Sequence, residues 1–138
     1  MKKNNSGFSL VELIIVIAIM AVLIGVLAPQ FIKYVEKSKE SKDISNLDSC
    51  VSVVQAYYAD KEWPSGGVEI TGTKGNALSA GTNNHALVDA GADKSTVTGN
   101  WSGTGLKATI TSDGAVKYEG SADYYAANAG GTGFEAKS

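Results

Sequence analysis

The sequence predicts an α+β fold, one long N-terminal helix packed on a small antiparallel β-sheet, and three stretches carry that expectation. Between Phe8 and Ala28, 18 of 21 residues are hydrophobic, which reads as a helix long enough to cross a bilayer. Ile44, Leu47, Val51, Val54 and Tyr58 then recur at spacings of 3, 4, 3 and 4, one stripe of an amphipathic helix. Finally, Leu106–Ser112 and Ala115–Glu119 alternate apolar and polar residues about Asp113-Gly114, a two-residue hairpin signal.

Composition narrows the functions available to this chain of 138 residues, which is enough for one domain. Its formal charge is -2, from 12 Lys and no Arg against 14 Asp and Glu, so no basic face exists to neutralise a run of phosphates. A dedicated nucleic-acid site is not expected. One cysteine, Cys50, excludes an intrachain disulfide and a Cys-based zinc site. One histidine, His85, removes most metalloenzyme and triad layouts. No nucleophile, base and orienting group can be assembled, so no catalysis, cofactor or metal is predicted.

The N-terminus reads MKKNNSG and runs directly into the apolar stretch. Lys2 and Lys3 hold this end on the cytoplasmic side, so the remainder is translocated outward. The apolar run of about 21 residues spans roughly 31 Å as helix, a bilayer's hydrocarbon thickness, and is long enough to be kept as an anchor. Glu12 interrupts it, four residues after Phe8. A carboxylate in a spanning helix costs up to about 2.5–3.5 kcal/mol at the centre and less near an end, so it either reaches the interface or has a partner.

The string Gly7-Phe8-Ser9-Leu10-Val11-Glu12-Leu13 resembles the processing signal of type IV prepilins and the related pseudopilins, and the general layout extends the resemblance to about Ser65. The resemblance implies the pilin fold and a leader, residues 1–7, removed by a prepilin peptidase. That enzyme would cut between Gly7 and Phe8 and methylate the Phe8 amine; a glycine before the scissile bond admits a close backbone approach. Residues 8–29 would form the transmembrane and filament-core helix, 30–61 the amphipathic spine, and 62–138 a Gly-rich β-sheet domain. Glu12 would face the Phe8 amine of a neighbouring subunit, offsetting the desolvation of both charges. Loss of the leader removes two Lys and takes the formal charge from -2 to -4.

What the resemblance implies for function is a structural subunit that polymerises with itself through its N-terminal helix into a type IV pilus. Uses of such a filament are adhesion, twitching or gliding motility, biofilm formation and DNA uptake. Partners would be the prepilin peptidase, an assembly ATPase and a platform protein, with the membrane holding the single-pass precursor, N-terminus inside, before the subunit joins an extracellular filament. A pseudopilin of a type II secretion or competence system, and a membrane-anchored binding module that never polymerises, are the alternatives. The missing disulfide leans toward a Gram-positive source.

Pro29 lacks an N–H, and its ring opposes the carbonyl of Gly25, itself a poor helix former. Two weak points share one turn. One reading is a kink at the membrane exit; the resemblance implies that Gly25 to Pro29 loses helical structure in the fibre. Beyond it, Lys37, Lys39, Glu40, Lys42, Asp43 and Asp48 read as the solvated face of the spine, with Lys39 and Asp43 spaced for an i, i+4 pair. Pro64 disfavours helix at Trp63, so the helix is expected to run from Phe8 to about Asp60, 53 residues or roughly 80 Å.

Residues 62–138 hold 27 hydrophobic side chains, 12 of them Ala. The remaining 15 are too few for a self-sufficient core, so the stripe from Ile44 to Tyr58 is expected to supply half of it. Further strands are expected at Val68–Thr71 and near Thr96–Trp101, with a short helix around Asn84–Ala90. The tail from Ser121 either docks Tyr124 and Tyr125 on the sheet or frays at its Gly-rich end. Cys50 reads as a buried, inert thiol, with a reactive or intermolecular thiol as the alternative, and His85 as structural. Trp63 is expected to cap the spine by packing, and Asp60 with Glu62 offers oxygen ligands too few to argue a calcium site. Gly72-Thr73-Lys74-Gly75 has no phosphate-loop spacing.

Overall fold

The computed structural model describes residues 7–138; of the expected leader, only Gly7 lies inside that range. The chain divides into two units, one ending at Tyr34 and the other running Val35–Ser138. Helix α1 occupies Leu10–Tyr57, 48 residues with Pro29 in its interior. It is followed by strand β1 (Val68–Gly72), a 3-10 turn at Gly81–Asn83 and helix α2 (His85–Asp89). Strands β2 (Leu106–Ile110), β3 (Val116–Glu119), β4 (Tyr125–Ala127) and β5 (Phe134–Ala136) complete the chain. The α+β class read from the sequence is the class observed.

The helix is shorter than expected at both ends. It starts at Leu10 because Ser9 caps it, and it stops at Tyr57, after which Tyr58–Asp60 form a tight turn. There Lys61 N donates to Tyr58 O at 3.4 Å, and Lys61 Nζ donates to Tyr57 O at 3.3 Å, satisfying a terminal carbonyl. Trp63 lies against Tyr58 with ring centroids 5.0 Å apart.

Strands β1, β2 and β3 form an antiparallel sheet in that order, with β1 paired Val68↔Ile110 through Gly72↔Leu106. This register puts Val68, Ile70, Leu106, Ala108 and Ile110 on one face, each fully buried, because strand side chains alternate with a period of two. Helix residues Leu47, Val51, Val54 and Tyr58 are buried in the same cluster, and Ile44 packs against it half-buried. Leu78, Leu87 and Val97 close it from the segment between β1 and β2. On the outer face Lys107 bridges Glu69 at 3.4 Å and Glu119 at 3.3 Å. Such exposed pairs contribute little to stability and chiefly fix the polar face outward.

Two strand-level expectations are corrected, and the open question of the tail is decided. The β2–β3 connection is a three-residue loop, Ser112-Asp113-Gly114, closed by Thr111 N donating to Ala115 O at 2.9 Å, rather than a two-residue turn. Gly114 takes φ +85, the left-handed position at which such a loop needs glycine. Asp113 supports it by accepting from Ala115 N at 3.1 Å and from the Thr111 hydroxyl. No strand forms over Thr96–Trp101; apart from a bridge between Thr96 and Ala77, this segment is a loop whose N–H groups are used elsewhere. The tail does not fray, since β4 and β5 pair as a second, two-stranded sheet. Tyr125 and Phe134 pack against the core, and Phe134 meets Trp101 and Tyr118 edge-on at 5.4 and 5.6 Å.

Leu47 has no exposed surface. Leu47→Ala should therefore lower the unfolding free energy by about 2–5 kcal/mol, checked by denaturant unfolding of the full chain in detergent. A change below about 1 kcal/mol, within what cores accept from volume-conserving swaps, would show that the helix face and the sheet do not share one core.

Candidate functional site

The N-terminal unit presents an apolar helix with no cover among the described residues. From Phe8 to Leu27 its large side chains are all exposed, Phe8 by 86% and Ile24 by 60%. The helix is long and apolar enough to cross a membrane. A surface this large and apolar is stable only in lipid or against another apolar surface.

Its first turn is held by a reciprocal pair that the sequence reading did not single out. Ser9 N donates to Glu12 Oε2 at 3.0 Å, and Glu12 N donates to Ser9 Oγ at 3.2 Å. This is a capping box, with Ser at the cap and Glu three positions on, each satisfying an otherwise unpaired helix N–H. The signal was present as Ser9-Leu10-Val11-Glu12, but the apolar run drew Glu12 into a membrane argument. The carboxylate thus stands at the mouth of the helix, one turn from Phe8. Phe8 precedes the helix, and Gly7 is exposed with open space where a side chain would sit. Gly25 and Pro29 both lie within continuous helix in the single chain.

In the second unit, part of the expected solvated face is the opposite of solvated. Glu40 is 0% exposed and Asp43 is 1% exposed. Asp43 Oδ1 accepts from Thr98 N at 3.0 Å and from the Thr98 hydroxyl at 3.3 Å, while Oδ2 accepts from Gly99 N at 2.6 Å and Trp101 Nε1 at 2.9 Å. Glu40 accepts from Asp123 N at 3.0 Å and Tyr124 N at 2.9 Å. Glu36 accepts from Asn100 N at 2.9 Å. Three carboxylates on one helix face thereby anchor two loops, 98–101 and 121–124. The expected Lys39–Asp43 pair does not form because Asp43 is committed to these donors; Lys39 instead lies 4.0 Å from Glu36.

Gly99 makes the anchor possible. A Cβ there would sit 2.8 Å from both Asp43 Oδ2 and Glu40 Cγ, so any side chain would push the loop off its acceptor. Burial pushes the Glu40 carboxyl above the usual range, its two backbone hydrogen bonds pull it back, and the nearby Glu36 and Asp123 charges raise it further. Because the folded pKa is the higher one, this group's contribution to stability declines as pH rises through the carboxylate range.

The remaining candidates are placed as follows. Cys50 is buried, its Sγ 3.7 Å from Ala92 O, and burial pushes its thiol from 9.0 to about 11. His85 is exposed, with Nε2 3.3 Å from the Tyr58 hydroxyl. Asp60 and Glu62 are exposed and are not brought together as ligands. The acidic group that the fold does gather is Glu36, Glu40 and Asp123, with oxygens within 4.8 Å of one another. Tyr118 is pushed up to about 12, by burial and then by its hydrogen bond with Asp48. Gln55 Nε2 reaches Gly114 O at 3.2 Å, tying the spine to the β2–β3 loop.

Residues 2–28 match the family described as the prokaryotic N-terminal methylation motif, which spans Gly7, Phe8 and the Ser9–Glu12 box. That N-terminal segment is similar to those of type IV pilins. Curated proteins named as pilin or fimbrial proteins are similar to the chain over a longer stretch. The chain is 36% identical over 59 residues to the type IV major pilin protein PilA of Myxococcus xanthus, covering 43% of this chain and 27% of that one. It is 37% identical over 65 residues to fimbrial protein EcpC of Eikenella corrodens, covering 46% and 42% of the two chains. It is 38% identical over 66 residues to a fimbrial protein of Neisseria meningitidis serogroup A, covering 47% and 39%. The matches thus span less than half of these pilins' length. No solved structure matches significantly.

Two outcomes follow from this geometry. Asp43→Ala strands three N–H donors, two of them buried, and should cost about 3 kcal/mol or more, read as a fall in unfolding free energy with a shift in Trp101 fluorescence; unchanged stability and emission would contradict the anchor. Cys50 should resist iodoacetamide at pH 8 in the folded chain and react when unfolded, because the nucleophile is the thiolate. Between pH 9 and 11 the unfolded thiol ionises while the folded one keeps its proton, so this group's contribution to stability falls as pH rises through that window.

Proposed function

We propose that the chain is a structural subunit of a type IV pilus, assembled from copies of itself through α1. The observation that carries this reading is the conjunction of a wholly uncovered apolar helix with one carboxylate, Glu12, a single turn from Phe8. Lipid covers the helix in the precursor. In the filament other copies cover it, so that one segment uses two solvents in succession.

Cleavage between Gly7 and Phe8 creates a new amine at Phe8. Methylation at that nitrogen, the modification for which the matched motif is named, leaves it cationic. In the apolar fibre the Phe8 amine of one subunit faces Glu12 of another. Glu12 Oε2 is engaged by its own Ser9 N–H, which orients the carboxylate and leaves Oε1 for the incoming cation. An ion pair in a low-dielectric core is costly to break, because either charge left alone is strongly unfavourable, and it therefore sets axial register. Gly25 and Pro29 supply a second property, since helix there is weak and gives way when subunits pack. A prepilin peptidase, an assembly ATPase and a platform protein are the partners this route requires. Attachment, motility, biofilm formation and DNA uptake are the uses open to such a filament.

Replacing Gly7 with Leu should block maturation, leaving the full-length precursor in the membrane by mass spectrometry; normal processing contradicts the cleavage assignment. Glu12→Ala should insert normally yet give few or no sheared filaments, and wild-type filament yield would show the amine pairing to be dispensable. Cryo-EM density with unbroken helix through Gly25–Pro29 in the assembled fibre would reject the local melting.

A further inference from the structure

Lys74, Asn100 and Asp123 come from three separate loops and meet at one point of the β-sheet domain. Lys74 Nζ donates to Asn100 Oδ1, and Asn100 Nδ2 donates to Asp123 Oδ2 at 3.0 Å. Each backbone is pinned independently. The Lys74 turn is closed by Gly75 N donating to Val97 O and Asn76 N donating to Thr73 O, both at 2.9 Å. Asn100 N is held by Glu36 and Asp123 N by Glu40. Lys74 makes no ion pair with any carboxylate among the described residues. An amine, a carboxamide and a carboxylate are thus aligned in series, with the amine at the carbonyl side and the carboxylate at the amino side.

We propose that Lys74 and Asn100 condense into an intramolecular amide cross-link, with Asp123 as the proton carrier. The neutral Lys74 amine adds to Asn100 Cγ, forming the Nζ–Cγ bond. Solvent at this exposed site carries the proton shed by the amine to Asp123, which delivers a proton to Nδ2. The Cγ–Nδ2 bond then breaks and ammonia leaves. Amine plus carboxamide gives amide plus ammonia, with no change of oxidation state, and Asp123 ends as the carboxylate it began. The reaction needs to occur only once per chain, and it is irreversible because ammonia diffuses away. Holding the two groups in contact supplies the effective concentration that an unassisted lysine and asparagine lack, and a carboxylate within hydrogen-bond reach of the leaving nitrogen fits general acid–base assistance.

The product is a covalent brace between the turn after β1 and the 98–101 loop, in a chain whose single cysteine excludes an internal disulfide. It fastens the same loop that Glu36 and Asp43 anchor by hydrogen bonds.

Intact-mass and tryptic analysis of the full chain, purified in detergent and from sheared surface material, tests this directly. The linked chain is one ammonia lighter than its Lys74→Arg variant predicts after allowing for the substitution. Trypsin then fails to cut after Lys74 and releases residues 62–94 joined to 95–107. Only the neutral amine attacks, so the linked fraction should grow on incubation at pH 9. Asn100→Ala should abolish the linkage, and Asp123→Ala should slow it at least tenfold with circular dichroism unchanged. Complete cleavage after Lys74 with full mass, before and after alkaline incubation, overturns the proposal. Linkage at the wild-type rate in Asp123→Ala removes Asp123 from the step.

Discussion

Half of α1 has no partner among the described residues, and the rest of the structure follows from that constraint. An apolar segment from Phe8 to Ala28 must be covered, by lipid or by apolar protein. The second half of the same helix is covered from within, by β1, β2, β3 and the segment holding Leu78, Leu87 and Val97. The sheet domain is therefore built around a stretch of helix that also continues into the uncovered segment. With only 15 larger apolar side chains in residues 62–138, the domain could not form its core without Leu47, Val51, Val54 and Tyr58.

A domain so poor in large apolar residues needs another source of specificity, and buried carboxylates provide it. Asp43 and Glu40 between them accept from four backbone N–H groups, one hydroxyl and one indole. Buried charges satisfied in this way gain little net stability against a hydrophobic replacement, but removing one leaves donors without partners. They fix where the loops land. Loops 98–101 and 121–124 have no regular structure of their own, and the carboxylate stripe gives them defined positions against the spine.

Much of this was legible from residue order. The stripe Ile44 to Tyr58, the Val68 strand, the 106–119 hairpin and the short α2 all follow from local periodicity and turn chemistry. What escaped is equally specific. Glu36, Glu40 and Asp43 continue the apolar stripe backward at spacings of 4 and 3, on the face that carries Leu47, yet Glu40 and Asp43 as charged residues read as solvent-facing. The burial of Glu40 and Asp43 depends on N–H donors 55 to 84 positions away, and no local pattern announces such a donor. The Thr96–Trp101 segment failed as a strand for the same reason, since the N–H groups of Thr98, Gly99 and Asn100 go to helix carboxylates. The Ser9–Glu12 box was readable at four-residue range and was obscured only by the hydrophobicity around it.

Glu12 joins these themes at the other end of the helix. It caps α1 in the single chain, and in the proposed filament it also receives a cation from a neighbour. The most direct measurement of whether copies of this chain cover one another's helices is electron microscopy of sheared cell-surface material, labelled with an antibody raised against residues 35–138. The account predicts long fibres decorated along their whole length. Label confined to the membrane fraction, with unlabelled fibres or none, would contradict it.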